Sequence, residues 1–132
     1  MIMKSEELTG RIIGAAINVH KALGPGFLES VYEEALAVEF DTLRIDYERQ
    51  KIVPVFYRGR QVGEHRLDFL VERQIVTELK AVTALEKVCF AVVRSYLKAT
   101  NLESGLLFNF ATMPLAIKRI GPEDLKYLVS DS

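Results

Sequence analysis

The chain has 132 residues, 49% of them hydrophobic, enough for one domain with a real core and too few for two ordinary domains. Charged residues make up 27%, with 17 Lys and Arg against 18 Asp and Glu. This balance excludes intrinsic disorder and an overall basic nucleic-acid binder, so any anionic partner must be met by a local patch.

Cys89 is the single cysteine, which excludes an internal disulfide and a cysteine-cluster metal site and fits a reducing cytoplasm. Met1–Lys4 runs into Glu6 and Glu7 without the apolar segment of a signal peptide. The longest charge-free stretch, residues 104–117, is too short to span a bilayer. A soluble cytoplasmic protein with no membrane association is the expectation.

Leu8, Ile12, Ala16, Val19 and Leu23 recur at three- and four-residue steps, which predicts a helix from about Glu6 to Leu23, ended by Gly24-Pro25-Gly26. Leu28, Val31, Tyr32, Ala35 and Leu36 trace a second stripe over 27–40, so the first third, 6–42, reads as a helical hairpin. After Leu43 the period changes. Tyr47–Tyr57 is rich in β-formers, with Pro54 arguing for an edge strand or a bulge. Arg58-Gly59-Arg60 supplies a turn, and residues 61–72 and 75–82 alternate as two strands joined by a tight turn near Arg73.

Thr83 with Glu86 has the spacing of a capping box, and Leu85, Val88, Val92, Tyr96 and Leu97 continue it as a helix to about Thr100, with Asn101 as a left-handed terminator. Residues 105–111 and 115–120 read as strands, and 122–129 as a tail helix. The order is ααβββαββα. With no repeat or linker to divide it, the chain reads as one domain of residues 1–132, with the sheet and core helix spanning 43–120.

A hairpin turn centred on Arg73 sets Asp68 opposite Glu78, since the two positions are symmetric about it. Two carboxylates at roughly 5 Å repel by about 3 kcal/mol at an effective dielectric near 20, too much for a small domain to carry uncompensated. A cation between them, or a proton on one, removes the repulsion. Glu78 and Lys80 lie two apart and share a strand face, so Asp68, Glu78 and Lys80 converge. Two carboxylates with water in the remaining positions suit Mg²⁺ or Mn²⁺, and Lys80 is placed to orient the attacking water or stabilise phosphoryl charge, the chemistry of phosphodiester hydrolysis. By spacing alone a plainer reading stays open, with Glu78 and Lys80 neighbours on a solvated face and Asp68 paired to Arg66 or His65.

Asp68 followed by Glu78-Leu79-Lys80 and a helix resembles the motif of the PD-(D/E)xK nuclease superfamily. Gly26-Phe27-Leu28-Glu29-Ser30-Val31-Tyr32, flanked by 20–25 and by Tyr96-Leu97-Lys98-Ala99-Thr100, resembles the GxxExxY family, small proteins assigned to that superfamily. The likeness covers roughly residues 8–120. It implies an α/β fold with a central mixed sheet flanked by helices, Asp68 and Glu78 as ligands of Mg²⁺ or Mn²⁺, Lys80 as the catalytic lysine and Glu29 near the metal. It also implies a nuclease acting on nucleic acid, with DNA as the expected substrate. Glu29 and Glu33, one helical turn apart, become sensible if a cation or basic group lies close. Tyr32 sits on the apolar stripe, where packing is its expected role.

The third helix departs from the family pattern, with Val92 where many members carry a glutamine, Cys89 where relatives often have a histidine, and Phe90 where a polar residue is common. That departure motivates a second hypothesis, a non-catalytic nucleic-acid-binding or homo-oligomeric assembly protein on a nuclease scaffold. His20 and His65 are expected to pack rather than ligate, and Cys89 to act as a small buried hydrophobe. Arg58, Arg60 and Arg66 are candidate phosphate contacts in the basic middle third, with Arg94 and Lys98 extending them. Acidic residues are interspersed there, so the expected binding is weak and salt-sensitive.

Overall fold

A computed structural model describes residues 5–121. The apolar stripes of α1 (Ser5–Leu23) and α2 (Glu29–Leu43) pack side by side on one face of a five-stranded sheet. Leu8, Ile12, Ala16, Tyr32, Leu36 and Phe40 meet Phe69, Ile75, Leu79, Leu106 and Phe108 there. The sheet runs in sequence order through β1 (Tyr47–Tyr57), β2 (Arg60–Val71), β3 (Ile75–Lys80), β4 (Ser104–Asn109) and β5 (Ala116–Ile120). All neighbours are antiparallel except β3 and β4, which are parallel and joined by α3 (Lys87–Thr100). A parallel pair needs such a crossover.

Val93, Tyr96 and Leu97 of α3 cover the other face against Leu67, Val76, Leu107 and Ile120. Because β3 and β4 are covered on both faces, they read as continuous buried runs rather than alternating ones. Gly105 lets α3 sit this close, since a Cβ there would stand 2.8 Å from Val93 Cγ1. The mixed sheet with helices on both faces is the α/β architecture expected from the sequence.

Local chemistry sets the turns. Between β2 and β3 both central residues, Glu72 and Arg73, have positive φ (51° and 57°), and the Gln74 N–H donates to the Val71 carbonyl. The connection is three residues long, Glu72 to Gln74, with Val71 facing Ile75 across it. Arg58 and Gly59, also at positive φ, make a two-residue turn between β1 and β2, where Tyr57 pairs with Arg60. Pro54 lies on the outer strand β1, next to a register shift between Val55 and Phe56. Asn101 adopts the left-handed conformation that ends α3.

The beginning of α3 differs from expectation. Thr83 is not its cap; the helix starts at Lys87 after Glu86, and β3 ends at Lys80 rather than 82. Asn109 explains the delay, because its side chain donates to the Val82 carbonyl and accepts from the Val82 N–H. The Val82 backbone is thereby committed to Asn109 of β4 and is not free to begin a helix at Thr83. β4 correspondingly stops at Asn109 rather than 111. The tail helix expected over 122–129 lies outside the described residues. No described helix is long and apolar enough to cross a membrane.

Candidate active site

The β2–β3 register follows the symmetry about Arg73, with Val71 facing Ile75, Leu70 facing Val76 and Phe69 facing Thr77. The regular ladder ends at Phe69 and Thr77, and side chains take over from backbone groups one step further on. The Leu79 N–H donates to Asp68 Oδ2 at 2.9 Å, and the Asp68 N–H donates to Glu78 Oε1 at 3.4 Å. Each carboxylate thus replaces a strand bond, which fixes both acids at the point where the strands part.

The β1–β2 ribbon is distorted at the same level. Its pairs run from Tyr47 and Val71 to Arg49 and Phe69, then resume at Lys51 and Leu67, leaving Gln50 and Asp68 without a ladder pair. Gln50 has a φ of 51°. Phe69 belongs to the α1–α2 core, whereas Leu67, two residues away, belongs to the α3 core. Regular alternation would put both on one face, so the ribbon turns over at Asp68, and the parting of β2 from β3 there is the cleft that holds both acids.

Burial, the neighbouring Asp68 charge and contact between the two carboxyl groups push the Glu78 carboxyl up to about 8, against the partial relief given by Lys80. Asp68 is also raised, by burial first, with the charges of Glu33 and Glu29 adding to it and the Leu79 N–H opposing. Tyr96 of α3 faces this pair, and burial followed by the charges of Glu78 and Asp68 holds its hydroxyl far above the ordinary tyrosine range. A buried and a half-buried carboxyl in contact, both raised above the ordinary carboxylate range, have the donor chemistry of a hard divalent cation. Among the described residues no cluster of three or more Asp, Glu, His or Cys side chains surrounds a point. The two acids therefore fit a cation that keeps most of its shell as water and phosphate oxygen.

Lys80 follows on the same strand and forms no ion pair among the described residues, so its ammonium is available to an incoming anion. Its carbonyl accepts from the Phe110 N–H. Glu29, in the first turn of α2, reaches over to accept from the Ala81 N–H at 3.2 Å, just beyond Lys80. The segment before it explains how. Gly26 has a φ of 117°, which suits a residue without Cβ. The Tyr32 hydroxyl donates to the Gly24 carbonyl at 2.6 Å and accepts from the Phe27 N–H, while its ring stacks on Phe110 at 4.5 Å. Gly26, Glu29 and Tyr32 thus form one device in which the tyrosine clamps the turn that aims the glutamate. Tyr32 packs as expected, with the added work of the clamp.

Glu33 has a different partner. Arg49 bridges it and Glu34 at 2.9 and 2.6 Å, and the Gln50 amide donates to its other oxygen. The basic group that makes the Glu29 and Glu33 spacing tolerable is therefore Arg49, a signal hidden in the sequence by a separation of 16 residues from Glu33. Asn109, which clamps the exit from β3, was also missed, because an apolar run ending in Asn carries no sign of a bond to Val82 27 residues earlier.

Other candidates lie elsewhere. His20 is buried, its Nε2 2.9 Å from the Thr112 carbonyl oxygen, and takes no part in the cleft. His65 packs edge-on against Tyr96 at 4.6 Å, where burial lowers its pKa. Val92, Cys89 and Phe90 pack against the α3 core. Arg66 is exposed on β2, two residues before Asp68, and Arg94 is partly buried with a partnerless Nε. Arg58 and Arg60 stand at the far end of the β1–β2 ribbon, with Arg60 eight residues from Asp68 along β2, or roughly 26 Å of extended strand.

No curated protein matches the chain significantly. A solved structure described as "Crystal structure of SSO0001" is similar over 86% of this chain and 77% of its own, at 15% identity and a TM-score of 0.46. The family model of the PD-(D/E)XK nuclease superfamily matches residues 6–120, a span that holds both helical layers, the whole sheet and the acidic cleft, and the chain belongs to that superfamily.

Proposed function

We propose that the protein is a nuclease that hydrolyses phosphodiester bonds in DNA with the help of Mg²⁺ or Mn²⁺, using the cleft at the end of β3. The observation that carries the reading is the meeting of the half-buried Asp68 with the buried Glu78, carboxyl groups in contact, with Lys80, in no ion pair among the described residues, beside them. Asp68 and Glu78 would hold the cation, which supplies a counter-charge to the phosphate and acidifies a bound water. Lys80 then meets the scissile phosphate with a positive charge that strengthens as the oxygens gain charge during attack. Glu29, fixed through Ala81, keeps the strand end in place and sets an acidic wall on the α2 side. Tyr96 closes the α3 side, where Val92 brings no polar group.

The resemblance of Gly26, Glu29 and Tyr32 to the GxxExxY pattern supports the same reading, since in this fold the three residues connect to the β3 exit. The test is cleavage of single-stranded and duplex DNA with Mn²⁺, Mg²⁺ or chelator, comparing wild type with Asp68→Ala and Lys80→Ala. Divalent-dependent cleavage lost in both variants is the expected result. Cleavage unchanged in both would overturn the assignment.

A further inference from the structure

A groove of about 710 Å³ runs between the far half of the β1–β2 ribbon and the outer side of α3, lined by Phe56, Tyr57, Val62, His65, Ser95 and Lys98 among others. Phe56 and Tyr57 are 61% and 62% exposed, and Phe56 has no aromatic partner among the described residues. Arg58 lies over the Tyr57 ring at 5.6 Å. Arg58, Arg60 and Lys98 take part in no ion pair among the described residues. At its inner end the groove adjoins the cleft, because His65 in its wall packs on Tyr96, and Tyr96 faces Glu78.

We propose that this groove binds unpaired nucleotides of the DNA substrate, stacking bases on Phe56 and Tyr57 while Lys98, Arg58 and Arg60 meet the phosphates. The proposal rests on the nuclease reading for its direction, from groove to cleft. Adjacent exposed rings with unpaired cations are the two parts of a single-strand site, one for base faces and one for the backbone. A duplex keeps its base faces stacked inward and offers its phosphates to the outside, so it has no use for the rings. The roughly 26 Å between Arg60 and Asp68 along β2 matches a strand of several nucleotides, within the roughly 4–16 that single-strand sites span. A second copy of the chain fits less well, since a two-fold contact through this patch would turn its unpaired cations toward themselves.

The experiment measures fluorescence anisotropy of labelled oligothymidylate and of a blunt duplex of equal length, in chelator so that nothing is cut. The proteins are wild type, the double variant Phe56→Ala with Tyr57→Ala, Tyr57→Phe and Lys98→Glu. The exposed rings leave the core intact, and a melting curve for each variant checks this. Wild type should bind the single strand at least about fivefold tighter than the duplex, and the double variant should lose about tenfold or more. Tyr57→Phe should bind like wild type, and Lys98→Glu should weaken binding in a salt-dependent way. Equal affinity for duplex, or a folded double variant within twofold of wild type, overturns the proposal. So does a wild type that ignores DNA and forms a dimer that the double variant disperses. Cleavage with Mn²⁺ separates the two readings. Single-strand binding without any cutting sinks the nuclease and leaves the groove, whereas single-strand cutting unimpaired in the double variant sinks the groove and leaves the nuclease.

Discussion

The two ends of the β2–β3 hairpin share one register and have opposite characters. At the turn end, Leu70, Val71, Ile75 and Val76 are buried on both faces, and every step is a backbone ladder step. One step past Phe69 and Thr77, two acids sit in the same low-dielectric surroundings, and side chains take the place of ladder bonds. The first end lowers the free energy of the fold by burying apolar surface, while the second holds two charges that burial penalises. The apolar end pins the register, and the register then forces Asp68 and Glu78 together at a cost that a bound cation would offset.

Substitutions at the two ends should therefore differ in kind. Lys80→Ala removes a cation that the fold does not pair, so cleavage should fall by about 10²–10³-fold, read in single turnover, with the melting temperature nearly unchanged. A similar loss of stability without loss of rate per folded molecule would merge the two ends into one structural unit. Ile75→Ala empties a fully buried position and should cost about 3 kcal/mol in a urea titration, leaving the activity of the folded fraction intact.

Glu78→Gln should move stability the other way, and only at high pH. The Glu78 carboxyl rises from 4.5 to about 8 on folding, so through that window the folded chain keeps a proton that the unfolded chain has released. Stability of the metal-free protein must then fall as pH rises from about 4.5 to about 8. The glutamine variant, which has no charge to bury, should be more stable by about 4 kcal/mol at pH 8 and by much less at pH 5. Parallel pH profiles for the two proteins would show that the acid pair is not strained. The smallest effect is expected of Tyr32→Phe, which loses the hydroxyl bonds to Gly24 and Phe27. A cost of about 1 kcal/mol, with a rate loss that tracks the looser aim of Glu29, would extend the charged end of the comparison to the turn before α2.

Much of this was legible in the sequence for a stated reason. Helical stripes, the Tyr47–Tyr57 strand and the symmetry about Arg73 are local patterns of period and turn, and the approach of Asp68 to Glu78 follows from them by counting. The cap at Thr83 was misread because a local signal competed with a distant one, the hold of Asn109 on Val82. The Arg49 bridge to Glu33 and Glu34 and the reversal of the ribbon at Gln50 depend on how layers meet in space, which no window of sequence contains. Charge alone makes Arg58 and Arg60 candidate phosphate contacts; the structure adds that they stand beside two exposed rings and away from the cleft.

The account stands on the acid pair being a cation site, and calorimetric titration of Mn²⁺ into wild type and Asp68→Ala, each with and without a short DNA, tests that most directly. Binding by wild type that is strengthened by DNA and absent from the folded variant is the result the account requires. A wild type that binds no Mn²⁺ under either condition, or a variant that binds it equally well, would contradict it.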